Sequence, residues 1–351
     1  MKRIRAFINE NPLTMWMAVF VALFYALSAL VLHQLPSGRE FRAHSHAVRA
    51  ESLHSMHVRE EAFTRNMGGH QTLIALTGTF FLLLLLAGIA VNLYAVLQKR
   101  RGRGVLEPAD DTDRPPLRLR EVFQLFVFIY FIEAAMISLE TALGMLIDLR
   151  GVDPDVFLVL NSLVRDIGTA VLALLLVTRH YRLPLSAIGL SGRRFGRRLA
   201  EGVGCYAAAV PWVMLMLGAL NLVTQFFSYE PEPQAVVEIY MKKSADPYLL
   251  PLTLFVAVVG PVIEEIFFRG FTYRAFRARM GFFGAAAASS FLFAALHMNA
   301  VVFVPIFILG LFLCYLAEKT GSLVPSMTVH ALHNTSMVGL TLAFKTISGS
   351  P

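Results

Sequence analysis

Nine stretches of roughly 20 apolar residues constrain this chain more than any other feature. They fall near residues 13–33, 72–97, 121–147, 156–178, 200–224, 247–268, 283–298, 300–317 and 322–345. The hydrocarbon core of a bilayer is ~30 Å thick, accepts about 20 residues of helix, and offers no water to exposed backbone groups. The expectation is therefore an all-α, polytopic transmembrane helical bundle with about 8–9 membrane spans, the seventh stretch being marginal. Composition agrees, with 56% apolar and only 16% charged residues. The first stretch follows MKRIR, and its apolar run exceeds the ~7–15 residues of a signal-peptide core, so we read it as an uncleaved anchor.

A net charge of +7 invites a nucleic-acid partner, but the Lys and Arg residues crowd into short segments between spans: MKRIR, 99–120, 179–198, 269–279 and AEKTG. Basic residues placed this way set membrane orientation. The expected partners are membrane lipids, with no nucleic acid. The N-terminus is expected to be cytoplasmic in a multi-pass integral membrane protein, with a bacterial plasma membrane as the expected location. Cys205 and Cys314 lie in separate stretches without CxxC spacing, which leaves them as packing residues.

Along the chain we expect three parts. Residues 1–116 form an accessory transmembrane hairpin with a polar loop and an acidic, proline-bearing linker (LEPADDTDRPP). Residues 117–246 supply middle helices, and residues 247–351 a catalytic core. The 34–71 loop carries His44, His46, His54, His57 and His70, with His33 at its edge. HSH and HSMH invite a metal reading, but no cysteine or repeated ligand register supports it, and we read a polar amphipathic extracytoplasmic segment. Glu133 and Glu140 share one face of a span and Arg165 and Asp166 sit in the next. We read Glu133 or Glu140 with Arg165 as an ion pair holding helices together.

The chemistry is concentrated near the end. EEIFFR (264–269) places two carboxylates and an arginine in an apolar stretch, where each charge costs ~2.5–3.5 kcal/mol even on permissive insertion scales. Arg269 stands four residues after Glu265, on its helical face, and can pair with it; Glu264 points about 100° away. FAALH (293–297) brings His297, and HALHN (330–334) sets His330 and Asn334 one turn apart, with His333 between them. A carboxylate and an imidazole can activate water, and a His–Asn pair can donate to an oxyanion; the same groups can hold a metal. At 1.5 Å per residue, Glu264 lies ~8 Å before Arg269 at the inner boundary, His330 ~12 Å past Ser322, and His297 ~18 Å past Ala285. His297 strains that depth ledger. Gly260 and Pro261 can open the helix just before Glu264.

In this order, each in its own span, EEIFFR, FAALH and HALHN resemble the CPBP intramembrane proteases, the family of type II CAAX prenyl endopeptidases and lysostaphin resistance protein A-like proteins. The pattern EExxxR, FxxxH, HxxxN is matched throughout, whereas the first 115 residues resemble nothing in it. The resemblance implies an intramembrane endopeptidase, glutamate-type or metalloendopeptidase. It gives Glu264 and His297 to water activation, His330 and Asn334 to the oxyanion, Glu265 and Arg269 to a supporting ion pair, and Phe293 to the wall of the site. It implies no cofactor or one divalent metal, zinc if any, on Glu264, His297 and His330. The substrate would be a peptide or protein near the membrane: a prenylated tail, a bacteriocin leader or similar. His333 stands outside the pattern and reads as a packing residue or a group behind the site. A membrane transporter or a non-catalytic scaffold built on the same buried polar cluster is the alternative.

Overall fold

The computed structural model describes residues 11–34, 54–106, 115–146, 154–229, 234–242 and 249–349. Every regular element among them is helical: α1 (Pro12–Gln34), α2 (54–66), α3 (Gln71–Arg100), α4 (Leu119–Leu146), α5 (Pro154–Leu175), α6 (Phe195–Phe226), α7 (Ala235–Lys242), α8 (Leu249–Arg277), α9 (Phe282–Ala295), α10 (Ala300–Thr320) and α11 (Val324–Ser348). Seven helical segments of the described chain are long and apolar enough to cross a membrane. They are α1, α2 running into α3, α4, α5, α6, α8 and α10. The protein is an integral membrane protein. The marginal seventh stretch, α9, has 14 residues. Its length of about 21 Å falls short of a ~30 Å core. α11 is long enough, but its Ser, Thr, His and Asn residues dilute its apolar character.

Packing groups α1, α4 and α5 in one compact unit, and α2, α3 and α6 to α11 in another. In the first unit α4 is the main partner of α1, through Phe20 against Phe131 at 5.4 Å and Gln124 donating to Asn11 at 2.6 Å. Arg165 on α5 bonds its neighbour Asp166 at 2.9 Å. The main partner of α3 is α6, in the second unit. Residues 54–66 of the polar 34–71 stretch that the sequence presents as a loop form helix α2, which a 3₁₀ turn (Met67–His70) joins to α3. His44 and His46 lie outside the described residues, as does most of the acidic linker.

In the second unit α6 packs between α3 and α11. Small residues allow the approach, as is usual where helices meet in lipid. A Cβ on Gly202 would stand 2.5 Å from Thr328 Cβ. Tyr206 then donates to Ser336 at 2.6 Å, and Asn92 to the Ala208 carbonyl at 2.8 Å. Buried Ser289 and Ser290 bring α9 onto α8 and α10. The turn after α9 is closed by Asn299, whose Oδ1 accepts from the N–H groups of Val301 and Val302 to cap α10.

Two local irregularities position the site. α8 is not a regular α-helix: wide π turns at Phe255–Val259 and Ile266–Thr272 flank Gly260–Glu265. In the first of these the Gly260 N–H bonds the Phe255 carbonyl five residues back. The next donor in that register would be residue 261, a proline with no N–H, so the Val256 carbonyl loses its partner within the helix. The second irregularity is the start of α11. Gly321, at φ 63°, ends α10, and the Leu323 N–H donates to the Gly189 carbonyl at 2.8 Å. Ser322, Leu323, Val324 and Ser326 are all buried, so α11 begins inside the protein.

Candidate active site

These irregularities change the distances along the helices from which the sequence reading took its depths. Arg269 is fully buried, and α8 continues past it to Arg277. Glu264 therefore lies ~20 Å from that end, and His297 ~22 Å from the start of α9. α11 starts inside the protein, and His330 and His297 meet against the one ring of Phe293, so the long reach of His297 along its segment is no obstacle to the cluster.

The two adjacent glutamates meet opposite environments. Glu265 has a fully buried side chain; its Oε1 accepts from Arg269 Nη1 at 2.8 Å and from His330 Nδ1 at 3.1 Å. Arg269 also donates to the Gly310 carbonyl at 3.4 Å and stacks its guanidinium on the Phe293 ring at 4.3 Å. Each partner offsets the desolvation of the next, which is how a buried charge persists in lipid. Glu264 is 28% exposed, and its Oε2 stands 3.7 Å from His330 Nε2. That gap exceeds a direct hydrogen bond, yet a single water can touch both atoms.

His330 is thus held by one carboxylate and presented to the other. His297 is treated similarly: its Nδ1 lies 2.8 Å from the Phe293 carbonyl, a pure acceptor, so Nδ1 carries a proton and Nε2 is the atom left for the cavity. Phe293, almost fully buried, sets its ring at steep angles to both imidazoles, with centroids 4.9 Å from His297 and 5.6 Å from His330. Asn334 donates through Nδ2 to the Val256 carbonyl at 3.0 Å, the acceptor that Pro261 leaves without a helical donor. One of its two amide hydrogens is committed there.

Glu264, Phe293, His297, His330, His333 and Asn334 all line one cavity of about 1590 Å³. α6 and α10 give it apolar walls, among them Trp212, Leu217, Ile306 and Phe312. His333, which the motif pattern passes over, faces the same space. The fixed Nδ1 atoms of His297 and His330 are what a zinc site would want, since ligating imidazoles are held in this way. Among the described residues, however, no group of three His, Cys, Asp or Glu side chains stands so as to hold an ion. That holds for Glu264, His297 and His330, and for His54, His57 and His70. As they stand, these described side chains do not form a resident metal site.

The same stretch has a recognisable relative. Residues 246–336 match the family model of the type II CAAX prenyl endopeptidase Rce1-like proteins. This is the resemblance the three motifs carry, and that family is one of CAAX-type intramembrane endopeptidases. The Rce1-like segment spans about a quarter of the chain, from just before α8 to the middle of α11, and includes every motif residue. Comparison of the chain with curated proteins and with solved structures gives no match.

Sequence reasoning missed three features of this site. The hydrogen bond from His330 to Glu265 leaves no signature beyond the adjacency of two carboxylates. The Asn334 bond to Val256 could have been sought once Pro261 was seen to remove a donor five residues on. The walls supplied by α2, α6 and α7 lie outside the Rce1-like segment and carry no motif.

Proposed function

We propose that the protein is an intramembrane endopeptidase in which Glu264 and His297 activate a water against a peptide carbonyl, while His330 and Asn334 stabilise the oxyanion. The observation that carries this reading is the contrast between neighbours inside the Rce1-like segment. Glu265 is sealed into an ion pair that orients His330, whereas Glu264 faces the cavity 3.7 Å from the same imidazole.

The chemistry needs a base, an acceptor that aligns the water, and donors for the developing charge. Glu264 takes one proton as the water oxygen attacks the carbonyl carbon, and the His297 Nε2 lone pair accepts the water's other hydrogen bond. In its doubly protonated form His330 donates Nδ1–H to Glu265 and Nε2–H to the oxyanion. Asn334 adds its remaining amide hydrogen. When the tetrahedral centre collapses, the C–N bond breaks and Glu264 returns its proton to the leaving amine. No step passes through a metal, and we propose a metal-free reaction. The apolar walls suit a peptide bearing a lipid-like group, such as the prenylated tail named in the matched family's description. The basic loops support a cytoplasmic N-terminus.

Purified protein in nanodiscs, offered a peptide library, should cleave it. Glu264→Ala should lower turnover by about 10²–10⁴ and keep the wild-type melting transition. Equal cleavage by the variant would refute the assignment, and solute transport without cleavage would establish a carrier instead.

A further inference from the structure

The cavity is longer than the catalytic cluster requires, and its far end is built by helices outside the Rce1-like segment. α2 presents two faces there. Arg59 and Phe63, one turn apart, anchor it: Arg59 donates to the Met241 carbonyl at the end of α7 at 3.0 Å, and Phe63 stacks on Phe344 of α11 at 5.2 Å. His57 and Glu60, on another face, line the cavity together with Met56, beside Tyr240 and Thr341. Among the described residues Glu60 has no ion-pair partner. The described wall contains two carboxylates, Glu60 and Glu264, and no Lys or Arg. At the Glu60 end, away from the His330 imidazole, such a wall favours cationic over anionic guests.

The helices also give the spacing. His330 and Thr341 both line the cavity, eleven residues apart on α11, or ~16 Å. An extended peptide covers that distance in about five residues at ~3.3 Å each. Phe344, on which Phe63 stacks, lies one turn beyond Thr341, and Glu60 lies one turn before Phe63. Glu60 therefore sits near the Thr341 end of the cavity.

We propose that α2 is a specificity wall of the cavity, and that Glu60 accepts a Lys or Arg side chain of the peptide substrate about five residues from the scissile bond. This rests on the endopeptidase reading. Met56 and His57 flank the incoming chain, and α2's anchoring on α7 and α11 fixes Glu60 relative to His330.

The test uses full-length protein in nanodiscs of zwitterionic lipid, so that lipid charge contributes nothing, and a peptide series in which Lys, Gln or Glu is placed at each position from two to eight residues from the cut. The wild type should favour Lys over Glu by roughly tenfold or more in kcat/KM near the fifth position. Glu60→Lys should reverse that ranking there and nowhere else. The same ranking in wild type and Glu60→Lys would overturn the proposal while leaving hydrolysis intact. Competition binding of the same peptides to Glu264→Ala protein reads the subsite without turnover. A ranking that reverses in binding, with no hydrolysis by the wild type, would sink the endopeptidase reading and keep the subsite. No ranking in either assay would sink the subsite.

Discussion

Arg269→Met is the most informative perturbation of the buried network. The methionine keeps most of the arginine's volume but removes the guanidinium hydrogen-bonded to Glu265, whose side chain is fully buried. Removing one partner of a buried pair costs about 3–5 kcal/mol, because the remaining charge is left in a medium that cannot solvate it. Loss of the guanidinium stacked 4.3 Å over Phe293 adds up to about 2 kcal/mol. The single variant should therefore lose at least 3 kcal/mol, a factor of roughly 10² or more in its folding equilibrium. Pairing it with Glu265→Leu removes the stranded carboxylate as well and should return most of that loss, giving a coupling of at least about 2 kcal/mol in a double-mutant cycle. Stability is read by reversible unfolding in mixed micelles, and turnover is measured on the same samples. The refolded double variant should still be inactive, because His330 Nδ1 has lost the acceptor that aims Nε2 at Glu264. Additive destabilisation would refute the coupling of the pair. Full activity in the stable double variant would refute the orienting role of Glu265.

Three further outcomes follow from contacts near the site. Gly310→Ala would put a Cβ 2.8 Å from Ser290 Cβ; it should cost about 1–3 kcal/mol, and Ser290→Gly should restore part of the loss in the same melting assay. Asn334→Ala should lose about 1–3 kcal/mol by leaving the Val256 carbonyl unpaired, as well as slowing turnover. An unchanged melting point with turnover lost would show that this bond contributes nothing to the fold. Exhaustive chelation followed by metal analysis should leave peptide hydrolysis unchanged, and stoichiometric zinc whose removal abolishes it would overturn the metal-free mechanism.

The helical class was legible because ~20-residue apolar runs have few other uses. The Glu265–Arg269 pair was legible because i,i+4 spacing on a helix fixes a contact locally, and it forms at 2.8 Å. Position along the chain proved a poor guide to packing. α1 and α3 are successive long apolar helices, yet their main partners are α4 and α6, because lipid offers no hydrophobic gradient to pair chain neighbours and small residues, such as Gly88 of α3 against Ala207 and Pro211 of α6, decide who approaches whom. Helix α2 was hidden because its histidines and charges read as loop; its anchoring residues, Arg59 and Phe63, meet partners 182 and 281 positions away. The depth estimates carried a related simplification. They assumed that each span begins at a membrane boundary, whereas α11 begins at a buried turn tied to Gly189.

Pro261 joins the fold to the chemistry. A proline three residues before Glu264 removes a donor, the helix widens into a π turn, and the Val256 carbonyl is left facing α11. In lipid such a carbonyl must find a donor or water. Asn334 supplies it, and in doing so fixes the register between α8 and α11 one turn from His330. The same defect therefore turns Glu264 toward the cavity and locks the helix that carries the imidazole opposite. This explains why Asn334 follows His330 at helical spacing: the oxyanion role proposed for it requires only one amide hydrogen, and the other holds the two helices that form the site.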